Sequence, residues 1–347
     1  MVQLTRASAG EFTPDPSLLR AIASGARIPQ LDELRGLALL MVVSYHSLGV
    51  LSSRNDLHGD IRVDVFLILS GFSLCIAPAP EGTWQFARRR LWRLVPSYWM
   101  ALLLFLVGGH YVLRQDWGAG DIASHFLGVH GLLLNRPAYF LSINDSFWYV
   151  SILLLVYPAY YATRKVTSAV RLVALGAAGA VALALLYKLS RHDIGLWHVP
   201  LRFFSFFLGA AAARLLQFPR AAIHVSAWEV AALLALCFSA FRGLVVLAYP
   251  AAALGVCVLY CVLRGAWAGP RAGRAATGAL AVVGSLSYEL YLLHQPLMRD
   301  YAGHFIRVFS GTPGTANLVL GLVLGFAVCA ALSVALRAAS RRLQPGG

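Results

Sequence analysis

Long apolar blocks joined by short polar connectors dominate the chain. Ala101–Gly109, Ser168–Tyr187, Val245–Leu263 and Leu318–Leu336 are almost uninterrupted apolar runs. Several approach the ~20 residues a helix needs to cross a ~30 Å hydrocarbon core. The pattern predicts an all-α, polytopic transmembrane bundle of about ten helices with both termini cytoplasmic. The expected spans are 34–52, 61–79, 95–113, 146–163, 168–188, 198–216, 227–241, 243–263, 279–299 and 315–336. Residues 1–30 read as a cytoplasmic segment, 31–337 as the transmembrane domain and 338–347 as a cytoplasmic tail. Met1–Pro29 is mixed and polar, without a basic start, a short apolar segment and a small-residue cleavage site, so the first membrane helix is expected to insert uncleaved. The longest connector, 114–145, is too short for a soluble domain of its own. Any chemistry therefore belongs in or between the helices.

Composition agrees with this pattern: 59% of the residues are hydrophobic and 13% charged, against about 45–50% and about 25% in a soluble domain. The 29 Lys and Arg outnumber the 15 acidic residues, for a net charge of +14. In a soluble chain that balance would suggest a nucleic-acid partner. Here most basic residues fall on the side that also holds the termini, as the positive-inside rule requires, so the charge is assigned to topology and membrane lipids, with no nucleic acid. Cys75, Cys237, Cys257, Cys261 and Cys329 all lie in apolar sequence. They show no paired C-x-x-C spacing and no accompanying histidines, so neither a disulfide framework nor a metal site is expected. Cys257 and Cys261 share a helix face and read as packing.

Four segments carry polar groups against this background. In Leu31–His46, Arg35 and His46 lie about three helical turns and ~16 Å apart on one face, with Arg35 near the cytoplasmic surface and His46 near mid-bilayer. Ionisable groups inside a span line cavities or pathways; alternatively, Arg35 snorkels to headgroups and His46 bonds a neighbouring helix. In Ile61–Phe72, Arg62 and Asp64 lie at the outer end, and Ser70 and Gly71 permit close helix packing. Asp64 is either interfacial, bound to a polar acceptor, or the partner of a cavity-lining imidazole. Phe86–Trp99 clusters Arg88, Arg89, Arg90 and Arg93 beside a helix start. They read either as interfacial anchors with Trp92, Tyr98 and Trp99 or as a phosphate site. In Gly284–Pro296, Ser287, Tyr291 and His294 recur on one face while Glu289 is off that stripe. Such a stripe faces protein or water and serves interhelical bonding or catalysis.

Together and in this order, the four segments resemble bacterial acyltransferase family 3, the integral membrane O-acyltransferases, over Leu31–Pro296. The family's Arg, ten intervening residues and His are matched by Arg35 and His46. Its V-D-x-F-x-x-x-S-G-F segment is matched by Val63–Phe72, its R-R-x-x-R-x-x-P-x-Y-W by Arg89–Trp99, and its G-x-x-S-Y-x-L-Y-L-x-H by Gly284–His294. The resemblance implies an inner-membrane enzyme that moves an acyl group, most often acetyl, from cytoplasmic acetyl-CoA to a hydroxyl of a cell-envelope or exported glycan. On that reading Arg89, Arg90 and Arg93 hold the donor's phosphates and Arg35 guides the donor or polarises its thioester. His46 is general base or transient acyl carrier, and Asp64 joins the catalytic set. Trp148, Ser151, Ser287, Tyr291 and His294 mark an acceptor or structural polar face. A thioester is already activated, so no metal and no permanently bound cofactor is implied; acetyl-CoA enters as a substrate and a glycan or lipid-linked sugar as the other. One departure is plain: many members carry a Ser-Val-Glu-Glu-Gln-Phe-Tyr-like run in mid-chain, whereas Trp148–Tyr157 keeps only the Trp, Ser and Tyr. Either Asp64, or the outer loop with Asn144 and Asp145, would then stand in for the missing carboxylates, or the step does without them. A transporter or lipid-linked glycan flippase with the same Arg- and His-lined path is the alternative.

Overall fold

A computed structural model describes residues 5–7, 11–13, 28–52, 60–77, 82–133, 142–189, 198–217, 245–267, 271–305 and 315–343. These residues are helical apart from connectors and a short antiparallel ribbon of β1 (Thr5–Ala7) and β2 (Glu11–Thr13). The first helices are α1 (Pro29–Ser52), α2 (Asp60–Ile76) and α3 (Thr83–Gly108), the last extended by a wide turn to Leu113. A short α4 (Ala119–Phe126) leads to α5 (Trp148–Thr163), α6 (Ala169–Leu189) and α7 (His198–Gln217). Then come α8 (Val245–Trp267), α9 (Arg271–Ser285), α10 (Ser287–Gln295) and α11 (Thr315–Leu343).

Helices thus form where the apolar blocks lie, but they differ in kind. Among the described residues, Thr83–Leu113, Ala169–Leu189, Val199–Gln217 and Asn317–Leu343 are each long and apolar enough to cross a membrane. A fifth candidate is a broken span, Gly273–Ser285 with Ser287–Phe305, bent by 71°. The sequence pattern predicts a straight helix over 279–299; the structure breaks it at Leu286. The carbonyl and hydroxyl of Ser285, exposed by the break, both accept from the Arg337 guanidinium of α11, which supplies donors to a helix end that has lost its own. The expected span 227–241 and Cys237 lie outside the described residues.

Burial separates an inner set of helices from an outer one. Ala38 and Leu39 of α1, Leu67 of α2, Ile152 of α5, Phe206 of α7 and Leu292 of α10 are fully enclosed. By contrast α6 exposes Val181, Leu185 and Leu186, and α11 exposes Val319, Leu320, Val323 and Leu324. Apolar rows of that extent fit lipid rather than water. The inner helix α1 packs on α9, α2 and α10, and α2 packs in turn on α7.

Two of these crossings are closer than any side chain allows. A Cβ on Gly284 of α9 would lie 1.6 Å from the Asp32 carbonyl oxygen, and one on Gly71 of α2 would lie 1.9 Å from that of Phe206. Both obstacles are backbone, so a methyl group can enter only if the helices separate. Gly284→Ala should therefore destabilise the protein by roughly 1–3 kcal/mol, the usual cost of forced overpacking. Thermal unfolding of the detergent-solubilised variant, read by loss of the monodisperse peak, measures this; an unchanged midpoint would refute the tight α1–α9 contact.

Candidate active site

The close contact of α1 with α9 leaves a cavity of about 600 Å³ between α1, α2, α3, α5, α10 and α11, within the roughly 300–1,000 Å³ typical of small-molecule sites. Five arginines line it: Arg35, Arg90, Arg93, Arg337 and Arg341. Asp32 and Glu289 supply its carboxyls, and Ser70, Ser73, Ser287, Tyr149, Tyr157, Tyr288 and Tyr291 most of its hydroxyls. Five guanidinium groups against two carboxyls give the chamber an excess of positive charge that a polyanion would neutralise.

Arg35 is fixed within it. Its guanidinium donates to Asp32 Oδ1 at 2.8 Å, one turn earlier on the same helix, and to Ser73 Oγ of α2 at 2.6 Å. Arg90 packs over the rings of Phe86 and Tyr157, a placement that uses a guanidinium's affinity for aromatic faces. Arg89 is exposed and is not part of the lining. Of the three arginines expected to hold a donor, the structure therefore brings Arg90 and Arg93 to the cavity with Arg35, and replaces Arg89 by Arg337 and Arg341 of the last helix. Glu289, off the polar stripe by spacing, also reaches the cavity, because the bend at Leu286 rotates α10 away from the line of α9; Ser97 Oγ lies 3.5 Å from its carboxyl.

At the far end of the cavity the aromatic rings close up. Phe66, Tyr149 and Tyr291 meet one another at ring separations of 5.0–6.3 Å. Tyr291 then lies 5.5 Å from the ring of His294, and His294 lies 5.1 Å from that of His46. Contacts thus run from the cavity wall through Tyr291 and His294 to His46, so the two residues that sequence places on one face of α1 stand at opposite ends of one connected site. Ser287 and Tyr291 line the cavity and His294 sits beyond it.

The backbone that carries His294 is held from outside its own helix. Pro296 has no N–H, so the Leu292 carbonyl one turn earlier loses its helical partner. Asn144 supplies the donor: its Nδ2 reaches the Leu292 oxygen at 2.7 Å, while its Oδ1 accepts from the Ser146 amide at 2.8 Å. Ser146 Oγ donates to Gln295 Oε1 at 2.7 Å, and Asp145 accepts from Gln295 and Arg299 at 2.9 and 2.7 Å. The 142–146 turn therefore splints the end of α10. Ser151, from the sequence-derived polar face, accepts the Gly131 amide at 3.1 Å and so anchors the preceding connector. Within that connector His125 and His130 stack at 3.8 Å, and burial pushes His130 down to about 2, keeping it neutral.

Fully buried, Asp64 accepts from Arg202 at 3.0 Å and from Ser205 Oγ at 2.6 Å, both on α7, while Trp148 lies 5.9 Å from the Arg202 guanidinium. A second enclosed pair joins α1 to α8: Arg264 grips both oxygens of Glu33 at 2.5 and 2.8 Å, with Tyr260 adding a third bond at 2.8 Å.

A family model described as an acyltransferase domain matches residues 28–336. The chain belongs to acyltransferase family 3. No curated protein and no solved structure matches it. The family and the apolar helices make it a multi-pass membrane acyltransferase.

Two variants test the scaffold of the site. Asp64→Ala should cost the acyltransferase about 3–5 kcal/mol, because it strands the buried Arg202 charge, and Asp64→Ala with Arg202→Met should recover most of that loss; a double-mutant cycle on thermal midpoints measures both. Asn144→Ala should cost roughly 1–3 kcal/mol by leaving the Leu292 carbonyl without its donor, and an unchanged midpoint would contradict the splint.

Proposed function

We propose that this acyltransferase moves an acyl group, acetyl in the first instance, from acyl-CoA to a hydroxyl of a cell-envelope or exported glycan. The observation that carries the reading is the arginine-lined cavity that ends on an aromatic wall one ring away from a pair of histidines. CoA is a polyanion joined to its thioester by a slender uncharged arm. Arg90, Arg93, Arg337 and Arg341 suit its phosphates, since guanidinium forks bind phosphate through paired hydrogen bonds. Arg35, already oriented by Asp32 and Ser73, suits the deeper part of the donor. His46 provides an imidazole for acid–base work or for transient acyl transfer.

The excess of basic residues on one side of the chain supports placing the cavity mouth, and both termini, at the cytoplasmic face of an inner membrane. The donor then enters from the cytoplasm, and the acceptor meets His46 and His294 from the other side. Since the thioester stores the energy of transfer, the protein's work is to position the two substrates and move one proton. Both substrates enter and leave as ligands, so the reading requires no resident cofactor.

Full-length protein in lipid nanodiscs, supplied with labelled acetyl-CoA and a membrane extract as acceptor source, should release CoA and label a glycan. His46→Ala should abolish labelling while the protein still inserts and remains monodisperse. Arg93→Ala with Arg337→Ala should raise KM for acetyl-CoA about tenfold or more, as loss of ~1.4 kcal/mol of binding would. Movement of a glycan across the bilayer with the thioester left intact would favour a transporter and overturn the reading.

A further inference from the structure

His294 is enclosed completely by protein, and its two ring nitrogens have different fates. Nδ1 lies 2.8 Å from the Tyr291 carbonyl oxygen. A carbonyl can only accept, so this bond places the proton of the neutral ring on Nδ1 and leaves Nε2 as a bare lone pair. That lone pair finds no hydrogen-bonding partner among the described residues. A buried acceptor left unpaired is costly, and the cost is relieved by any ligand that brings an O–H to it. The ring beside it is His46, 5.1 Å away between centroids and tilted by 52°.

We propose that His294 Nε2 is the seat and the general base for the acceptor hydroxyl, standing between the donor cavity and His46. The assignment rests on the reading of the chain as an acyl-CoA-dependent O-acyltransferase and names the base within it. An imidazole whose Nδ1–H is held by a fixed acceptor and whose Nε2 is open is the arrangement that lets histidine take a proton from an alcohol. In the transfer step the acceptor oxygen bonds to the acyl carbon as its proton passes to His294 Nε2. The C–S bond breaks with its electron pair on sulfur, and His294 Nε2 returns the proton to the thiolate. The products are the O-acyl glycan and CoA thiol. The Tyr291 carbonyl steadies the imidazolium formed midway by accepting its Nδ1–H. Here Tyr291 serves twice, with its side chain in the cavity wall and its backbone orienting the base.

His294→Asn and His294→Gln in the full-length protein test this. Asn can keep a donor toward the Tyr291 carbonyl but offers no basic nitrogen, so a purely structural histidine would be rescued by it. Two readouts are taken together: binding of acetyl-CoA to protein in nanodiscs, and acylation of surface glycans by mass spectrometry in cells carrying each variant. Acetyl-CoA affinity should stay within about threefold of the parent in both variants, while acylation falls by about a hundredfold or more, the usual contribution of a positioned base. Acylation within threefold of the parent in His294→Asn overturns the assignment. So does parallel loss of acetyl-CoA binding in both variants, which would make His294 a support of the donor cavity. Failure of the parent protein itself to bind acetyl-CoA or to acylate a glycan would instead remove the reading on which the assignment depends.

Discussion

A helix that begins with Asp32, Glu33 and Arg35 and carries His46 on the same rod cannot face lipid. Hydrocarbon offers no partner for such groups, so each must be met by protein or by a water-filled cavity. The rest of the structure follows from enclosing α1. Glu33 is gripped by Arg264 and Tyr260 of α8, Arg35 by Asp32 and by Ser73 of α2, and His46 lies against His294 of α10. Glycine at the α9 crossing brings that helix so close to α1 that the cavity is walled on one side by backbone. The Asp64–Arg202 pair repeats the device between α2 and α7. Buried ion pairs add little net stability against apolar replacements, but breaking one is expensive; their effect is to fix which helices neighbour which, and hence where the arginines and histidines point.

Much of this was legible in the sequence because lipid enforces simple rules. The apolar blocks fall on helices, although α3 starts well before its block and α11 runs on to Leu343, and Arg35, His46, Tyr291 and His294 stood out because polar groups in such blocks need a reason to be there. Two kinds of information were missing. Spacing along one helix says nothing of its partners, so it could not show that Asp64 bonds Arg202 and Ser205 on α7, well over a hundred residues on. Charge at the end of a span has a ready topological explanation, and that explanation hid Arg337 and Arg341. Their signal was present: the arginines fall at the end of a helix whose other face is leucine and valine, and only tertiary packing turns that end into the cavity. The bend at Leu286 follows a Gly284–Ser285 pair, a common kink site, but a regular 3.6-residue pattern runs straight through it and so put Glu289 on the wrong face.

The break and the proline on either side of α10 explain how a short helix can hold a reactive imidazole in place. A nine-residue helix has more unmet backbone groups at its ends than bonds in its middle, and alone it would fray. Here two carbonyls at or near its ends take donors from distant segments. Arg337 serves the carbonyl of Ser285 before the helix, and Asn144 serves the carbonyl of Leu292, which Pro296 leaves open. Gln295 is tied on both sides of its amide by Ser146 and Asp145. The carbonyl of Tyr291, one residue before the one held by Asn144, is the atom that fixes the tautomer of His294. Pro296 therefore frees one carbonyl for a side-chain donor without ending the helical path, which runs on to Phe305, so the imidazole of His294 stays on a supported rod.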